Sequence, residues 1–195
     1  MIYKNITIRA ADCAVVCSIR VDPPIILDLL GIFYNNALCG ERSADARTTG
    51  YPTVIEKENM KAISLIQPWA TAIMCSNKKI ETRSWKTSYR GRVAIHASKG
   101  LPKWAREFAE TERVLGRIPT QLPVGTIIGF VNIVDMRRTE DLVMEISPLE
   151  KLYGDYSPGR WGWILSDVAQ IYPVACKGSL GLWDVPEGMK FVFVG

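Results

Sequence analysis

Residues 60–100 read MKAISLIQPWATAIMCSNKKIETRSWKTSYRGRVAIHASKG, and the fold turns on how this stretch divides. Residues 61–66 alternate enough to predict a strand. Pro68 suits a first helical position, where its missing N–H would have no partner anyway. Residues 69–75 then continue as a short helix with Trp69, Ala72 and Ile73 on its apolar side, and Asn77 is the expected stop. Residues 79–84 predict a second short strand and Tyr89-Arg90-Gly91 a turn. Residues 92–97, RVAIHA, predict a third strand with apolar residues at alternate positions.

Downstream, residues 102–115 predict an amphipathic helix, with Trp104, Phe108 and Leu115 on one side and Arg106, Glu110 and Arg113 mostly on the other. After Pro123, GTIIGFVNIVDMRRT is rich in β-branched residues and predicts a long strand bent or bulged at Gly129. Residues 139–153 read as helical or irregular, and residues 160–165, 170–176 and 180–185 as strands. Many short strands with two or three short helices argue for an α+β domain built on a small β-barrel or curled sheet. No G-x-G-x-x-G, Walker loop, G-x-S-x-G or internal repeat is present.

Upstream the pattern fades. Residues 40–59 are polar and lack a sustained period, as a linker would. Residues 25–38 could form a short apolar helix after Pro23-Pro24, and the first twenty residues one or two strands. The expected division is an N-terminal extension over 1–59, poorly ordered or not part of the native protein, and a domain over 60–195. Met60 is then a candidate natural start.

The chain has 195 residues, 48% hydrophobic and 23% charged, a soluble globular balance that can bury a core without disulfide or metal staples. The net charge of +4 is unevenly spread: residues 1–59 carry −1 and residues 60–195 carry +5. Between 61 and 106 ten basic residues face Glu81 alone. That excess would attract a polyanion or a phosphorylated ligand, the plainer alternative being a solvated basic face. Cys13, Cys17, Cys39, Cys75 and Cys176 are irregularly spaced, and the single C-x3-C pair has no nearby histidine. They read as free thiols of a reducing compartment, with no metal or cofactor expected. No run approaches the ~18 apolar residues that span a bilayer. Arg9 and Asp12 interrupt the start, so neither a membrane span nor a signal peptide is expected and the location implied is cytoplasmic.

Four constellations could carry chemistry. Lys78, Glu81 and Arg83 place a carboxylate between two cations, because Glu81 and Arg83 share one face of a strand and Lys78 enters it. A surface ion-pair set is the alternative. Gln67 beside Trp69 offers a polar group at a strand end, or merely a helix cap beside a core aromatic. His96, the only histidine, shares a strand face with Ser98 and is followed by Lys99. It could contact a ligand or act as a base, or be a hydrogen-bonded structural residue. Finally Trp85, Lys86, Tyr89, Arg90 and Arg92, with Arg160, Trp161 and Trp163, interleave aromatic and basic side chains as single-stranded nucleic acid requires. Trp161 and Trp163 lie two apart, so one or both should be core.

The stretch 60–100, together with RWGWILSDV and CKGSLGLWDVP, resembles the ASCH domain family over about residues 60–186. The resemblance rests on QPW, on a G-x-K-x-x-E-x-R signature carried by Lys78, Glu81 and Arg83 with Ser76 in place of its glycine, on the Tyr-Arg-Gly turn and on the strand ending His-Ala. It implies a PUA-like barrel with a cleft lined by the signature residues and an RNA or nucleotide-like ligand. The ligand-binding set it suggests is Gln67, Lys78, Glu81, Arg83, Arg90, His96, Ser98, Lys99 and Arg160. Some small relatives resemble amidohydrolases acting on acylated cytidine, which implies as an alternative a hydrolase with Lys78 and Glu81 as catalytic groups. The threonine of that apparatus is Glu81 here, and Thr82 would point to the opposite face. A ribonuclease using His96 or Lys78, and a protein-interaction domain using residues 25–38, are the further alternatives.

Overall fold

In the computed structural model the described residues are 4–10, 13–19, 54–55 and 60–194, side chains being described from Met60 onward. The chain divides into two units, Met1–Gly40 and Glu41–Gly195. In the first, β1 (Lys4–Ala10) and β2 (Cys13–Ile19) pair antiparallel. The helix expected over 25–38 lies outside the described residues. So does the linker expected over 40–59, except for the two-residue strand β3 (Val54–Ile55).

The described residues of the second unit form a curled six-stranded sheet, a half-barrel, with four short helices. Its strands are β4 (Lys61–Leu65), β5 (Ile80–Arg83), β6 (Gly91–Ala97), β7 (Thr126–Arg138), β8 (Trp161–Ala175) and β9 (Leu182–Asp184), in the order β5-β8-β7-β6-β4-β9. Among the described strands of this sheet only β4 and β6 pair in parallel; the helical crossover between them is the connection parallel strands require. A further strand, β10 (Phe191–Val192), pairs with β3. The helices are α1 (Trp69–Met74), α2 (Lys103–Val114), α3 (Thr139–Leu142) and α4 (Pro148–Leu152). None of the described helices is long and apolar enough to cross a membrane.

The interior of the half-barrel holds Ile63, Leu65, Val93, Ile95, Val131, Ile133 and Trp163, closed below by Ile73 and Met74 of α1. A second cluster, around Phe130 and Phe191, covers the outer face. Gly129 sits where the β6–β7 and β7–β8 registers both shift. A Cβ there would meet Met74 and lie 2.6 Å from the Ala169 carbonyl, so α1 and β8 approach because no side chain intervenes.

Three local expectations are corrected. The strands expected at 160–165 and 170–176 form one continuous β8, kinked at Asp167, which takes φ 50°. The α1 stop is Ser76 rather than Asn77. Ser76 takes φ 58°. Its N–H and that of Asn77 return to the Ile73 and Ala72 carbonyls, as in a Schellman cap. The buried side of α2 is Ala105, Ala109 and Glu112. Trp104 and Leu115 remain exposed and Phe108 half-buried. The aromatics instead pack on neighbouring rings, Trp104 and Phe108 on Trp69 and Phe108 on Tyr153.

Candidate nucleic-acid interface

Lys78, Glu81 and Arg83 close the open seam of the half-barrel. Glu81 points inward from edge strand β5, and its Oε2 lies 3.3 Å from Lys78 Nζ. Its Oε1 lies 2.9 Å from Arg83 Nε. Arg83 then reaches across the seam and donates from Nη2 to the Ser64 carbonyl on β4 at 3.1 Å. A side chain thus joins two strands that share no ladder. Lys78 is 1% exposed, and its ammonium also donates to the carbonyls of Ile80 (2.5 Å) and Tyr153 (3.0 Å). With three acceptors satisfied and no exposed surface, Lys78 offers a ligand no donor in this arrangement; it positions Glu81.

The seam is braced from outside. Glu150 of α4 accepts the backbone N–H groups of Lys79 and Ile80. Glu112 of α2 is buried between the Tyr153 hydroxyl and Arg117. Burial, then the adjacent Glu112, raises the Tyr153 pKa, so the phenol stays protonated and donates. Thr82, on the opposite face from Glu81, accepts from the Asp155 N–H and is turned away from the signature.

Beside Ser64 the C-terminal ends of β4 and β6 open into a cleft of about 660 Å³. Its floor is Ser64 and His96, which are register partners on the parallel strands. His96 Nε2 lies 3.0 Å from the Cys176 carbonyl, an acceptor only, so Nε2 carries the proton. Nδ1 therefore accepts, and its partner at 3.1 Å is the Ser64 hydroxyl. Ser64 Oγ in turn accepts from the Trp183 indole N–H at 3.1 Å. Burial lowers the His96 pKa, partly opposed by the Cys176 carbonyl, and keeps the ring neutral. Burial also raises the Cys176 thiol pKa, which disfavours the thiolate. Gly178 packs close to the imidazole; a Cβ there would meet the ring and lie 2.7 Å from Ser64 Oγ.

The cleft mouth is basic. Ser98, Lys99, Lys177 and Ser179 line it. Lys99 and Lys177 are exposed, and neither forms an ion pair with a described residue. Two ammonium groups without an ion pair to a described residue thus stand beside a neutral polar floor, a local excess of positive charge.

The structure thus gathers His96, Ser98 and Lys99 in one cleft and links it through Arg83 and the Ser64 carbonyl to Glu81 and Lys78. Gln67 is fully buried: its Nε2 donates to the Pro123 carbonyl, and its Oε1 accepts from the Thr71 N–H, capping α1. Arg90 folds onto its own turn, donating to the Thr87 and Tyr89 carbonyls. Arg160 pairs with Asp155 at 3.3 Å. Neither lines the cleft. Of the tryptophan pair, Trp163 is core, and Trp161 lies under the Arg138 guanidinium at 4.0 Å. Sequence reasoning missed Ser64, Lys177 and Gly178 as cleft residues. CKGS is readable as a motif, but its approach to β4 and β6 depends on a contact between residues 80 positions apart.

A family model described as the ASCH domain matches residues 63–175. Activating signal cointegrator 1 of Homo sapiens is 35% identical over 79 residues, covering 37% of this chain and 14% of its own length. The Mus musculus protein of the same name is 34% identical over the same shares. The chain therefore spans about a seventh of the length of these curated relatives. A crystal structure of ASCH from Zymomonas mobilis is similar at 22% identity and a TM-score of 0.39, over 60% of this chain and 73% of that one.

Proposed function

The chain belongs to the ASCH domain family, and on that premise we propose that it binds RNA, or a nucleotide-sized piece of it, in the cleft between the ends of β4 and β6. The observation that carries this reading is the pair Lys99 and Lys177, unpaired among the described residues, at the mouth of a cleft whose floor is hydrogen-bonded and neutral. Phosphate would sit between the two ammonium groups. The base or ribose would lie toward Ser98, Ser64 and the His96 edge. Arg83 supplies a partly exposed guanidinium behind Ser64, oriented by Glu81, and Lys78 and Gln67 act by holding the floor in place.

One observation supports a second reading, hydrolysis of the bound nucleotide or RNA. A neutral imidazole whose Nδ1 accepts from a hydroxyl at the cleft floor is in the protonation state a general base needs. Titration of the full chain with single-stranded RNA and with cytidine nucleotides, followed by mass spectrometry of the products, tests both. Intact ligand, bound by wild type and weakened in Lys99→Ala and Lys177→Ala, is the expected result. Converted ligand, with conversion lost in His96→Gln, would establish the second reading. Equal binding by wild type and the lysine variants would refute the cleft assignment.

A further inference from the structure

We propose that the Trp104–Trp69 pair is a stacking platform for an unpaired RNA base that leaves the cleft past Lys99. This extends the reading that the cleft takes RNA and rests on it.

Trp104 is 56% exposed on the first turn of α2, while the buried side of that helix is Ala105, Ala109 and Glu112. The ring has been left outside the core but is not loose. It packs on Trp69 at 5.3 Å, tilted 52°. Trp69 is itself stacked flat on Phe108 at 5.2 Å. Phe108 rests edge-on against Tyr153, which is buried. A column of four rings thus runs from the interior to solvent and ends in an indole.

The chain brings this column beside the cleft from three directions. Ser98 N–H donates to the Leu65 carbonyl, Gln67 donates to the Pro123 carbonyl, and Gly125 N–H donates to the Ala97 carbonyl. Residues 65–69, 98–104 and 123–125 therefore meet at the rim. Trp104 is five residues from Lys99, a span of at most ~18 Å. Ile66 and Val124, from two of these three segments, are also exposed.

The surrounding charge selects the occupant. Lys103 and Arg106 flank Trp104. Lys103 has only a solvent-exposed contact with Glu107 at 3.7 Å. Arg106 is exposed and has no ion pair with a described residue. One prominent ring among cations suits a base with phosphates on either side. A stable protein interface would bury about 800 Å² per partner, well beyond one indole and two aliphatic side chains.

The test compares the wild-type chain with Trp104→Ala and Trp104→Phe. The probes are a short mixed-sequence single-stranded RNA, an abasic oligonucleotide with as many phosphates, and cytidine monophosphate. We expect Trp104→Ala to weaken RNA binding roughly tenfold, within the range of one stacked base. Abasic and mononucleotide binding should not change, and Trp104→Phe should recover most of the loss. RNA bound equally by wild type and Trp104→Ala, with the mononucleotide still bound, would overturn the platform while leaving the cleft reading intact. An equal loss for RNA and abasic strand would also overturn it, as would a loss of self-association with RNA affinity unchanged. Wild type that binds neither RNA nor mononucleotide would overturn the cleft reading and this one together.

Discussion

Ser76 turns the chain out of α1 at φ 58°, a conformation that costs a β-carbon-bearing residue ~1 kcal/mol or more and glycine almost nothing. Its position is the one that follows the C-cap, where glycine is the favoured residue. Ser76→Gly should therefore raise stability by about 0.5–1 kcal/mol, the relief of strain exceeding the added freedom of the unfolded chain. Urea denaturation would show it as a higher midpoint at constant m-value. Glu81 presents the opposite case. Glu81→Gln removes the charge that compensates the buried Lys78 and should destabilise by about 3 kcal/mol. A midpoint within error of wild type would show that the seam does not depend on this pair. His96 gives a pH dependence. Burial sets its pKa below 6.5, so as the pH falls the unfolded chain takes up a proton before the folded one. Its contribution to stability is thus complete above about pH 6.5 and declines below it. It is the sole histidine in the chain. The resolved carboxylate shifts of Glu140, Glu145, Asp155 and Asp167 are downward and act at lower pH. Stability measured between pH 6.5 and 5 should fall in wild type and be flatter in His96→Gln; parallel curves would refute the assignment.

At the scale of elements, the sharpest constraint is the bulge of β7. Gly129 lets the strand shift register while Met74 and the Ala169 carbonyl close over it. Met74 can swing aside, but the carbonyl belongs to β8 and cannot. Gly129→Ala should cost about 2–3 kcal/mol, the range of overpacking that forces backbone to move, and should appear as a lowered thermal midpoint. Glycine inside a β-branched run marks such a position in the sequence, and so this element was legible. The strands over 61–66 and 92–97 were equally legible from their alternation, but that alternation did not show that β6 is buried on both faces from Val93 to Ala97. The helical face of α2 was not. Trp104, Phe108 and Leu115 are its most apolar residues, yet the helix packs through Ala105 and Ala109. Hydrophobicity alone cannot show that Trp104 and Phe108 join the ring of Trp69 rather than the buried side of the helix. The continuity of β8 was hidden for a related reason: Asp167 reads as a break, whereas its short side chain tolerates the left-handed kink and accepts from Ser166 and Asn132.

At the scale of the molecule, the half-barrel separates structural charge from charge available to a ligand. The three signature residues are legible in sequence as a cluster, and spacing correctly puts Glu81 between Lys78 and Arg83. Spacing cannot say that the cluster faces a seam, since β5 meets β4 only when the sheet curls. Nor can it separate committed cations from uncommitted ones. Arg90 is held by its own turn and Arg160 by Asp155, whereas Lys99 and Lys177, 78 positions apart, come to one mouth with no ion pair to a described residue. This difference predicts how RNA binding responds to salt. Each phosphate neutralised by a protein cation releases condensed counterions, so the logarithm of affinity falls linearly with the logarithm of salt concentration. For single strands the slope is about −0.7 per phosphate contact. The double variant Lys99→Ala/Lys177→Ala should therefore reduce the magnitude of that slope by about 1.4 relative to wild type. Arg90→Ala and Arg160→Ala should leave it close to the wild-type value. Binding isotherms of the full chain with single-stranded RNA, taken across low to moderate salt, measure all four slopes. A slope altered as much by the two arginines as by the two lysines would mean that RNA follows the general basic face rather than the cleft.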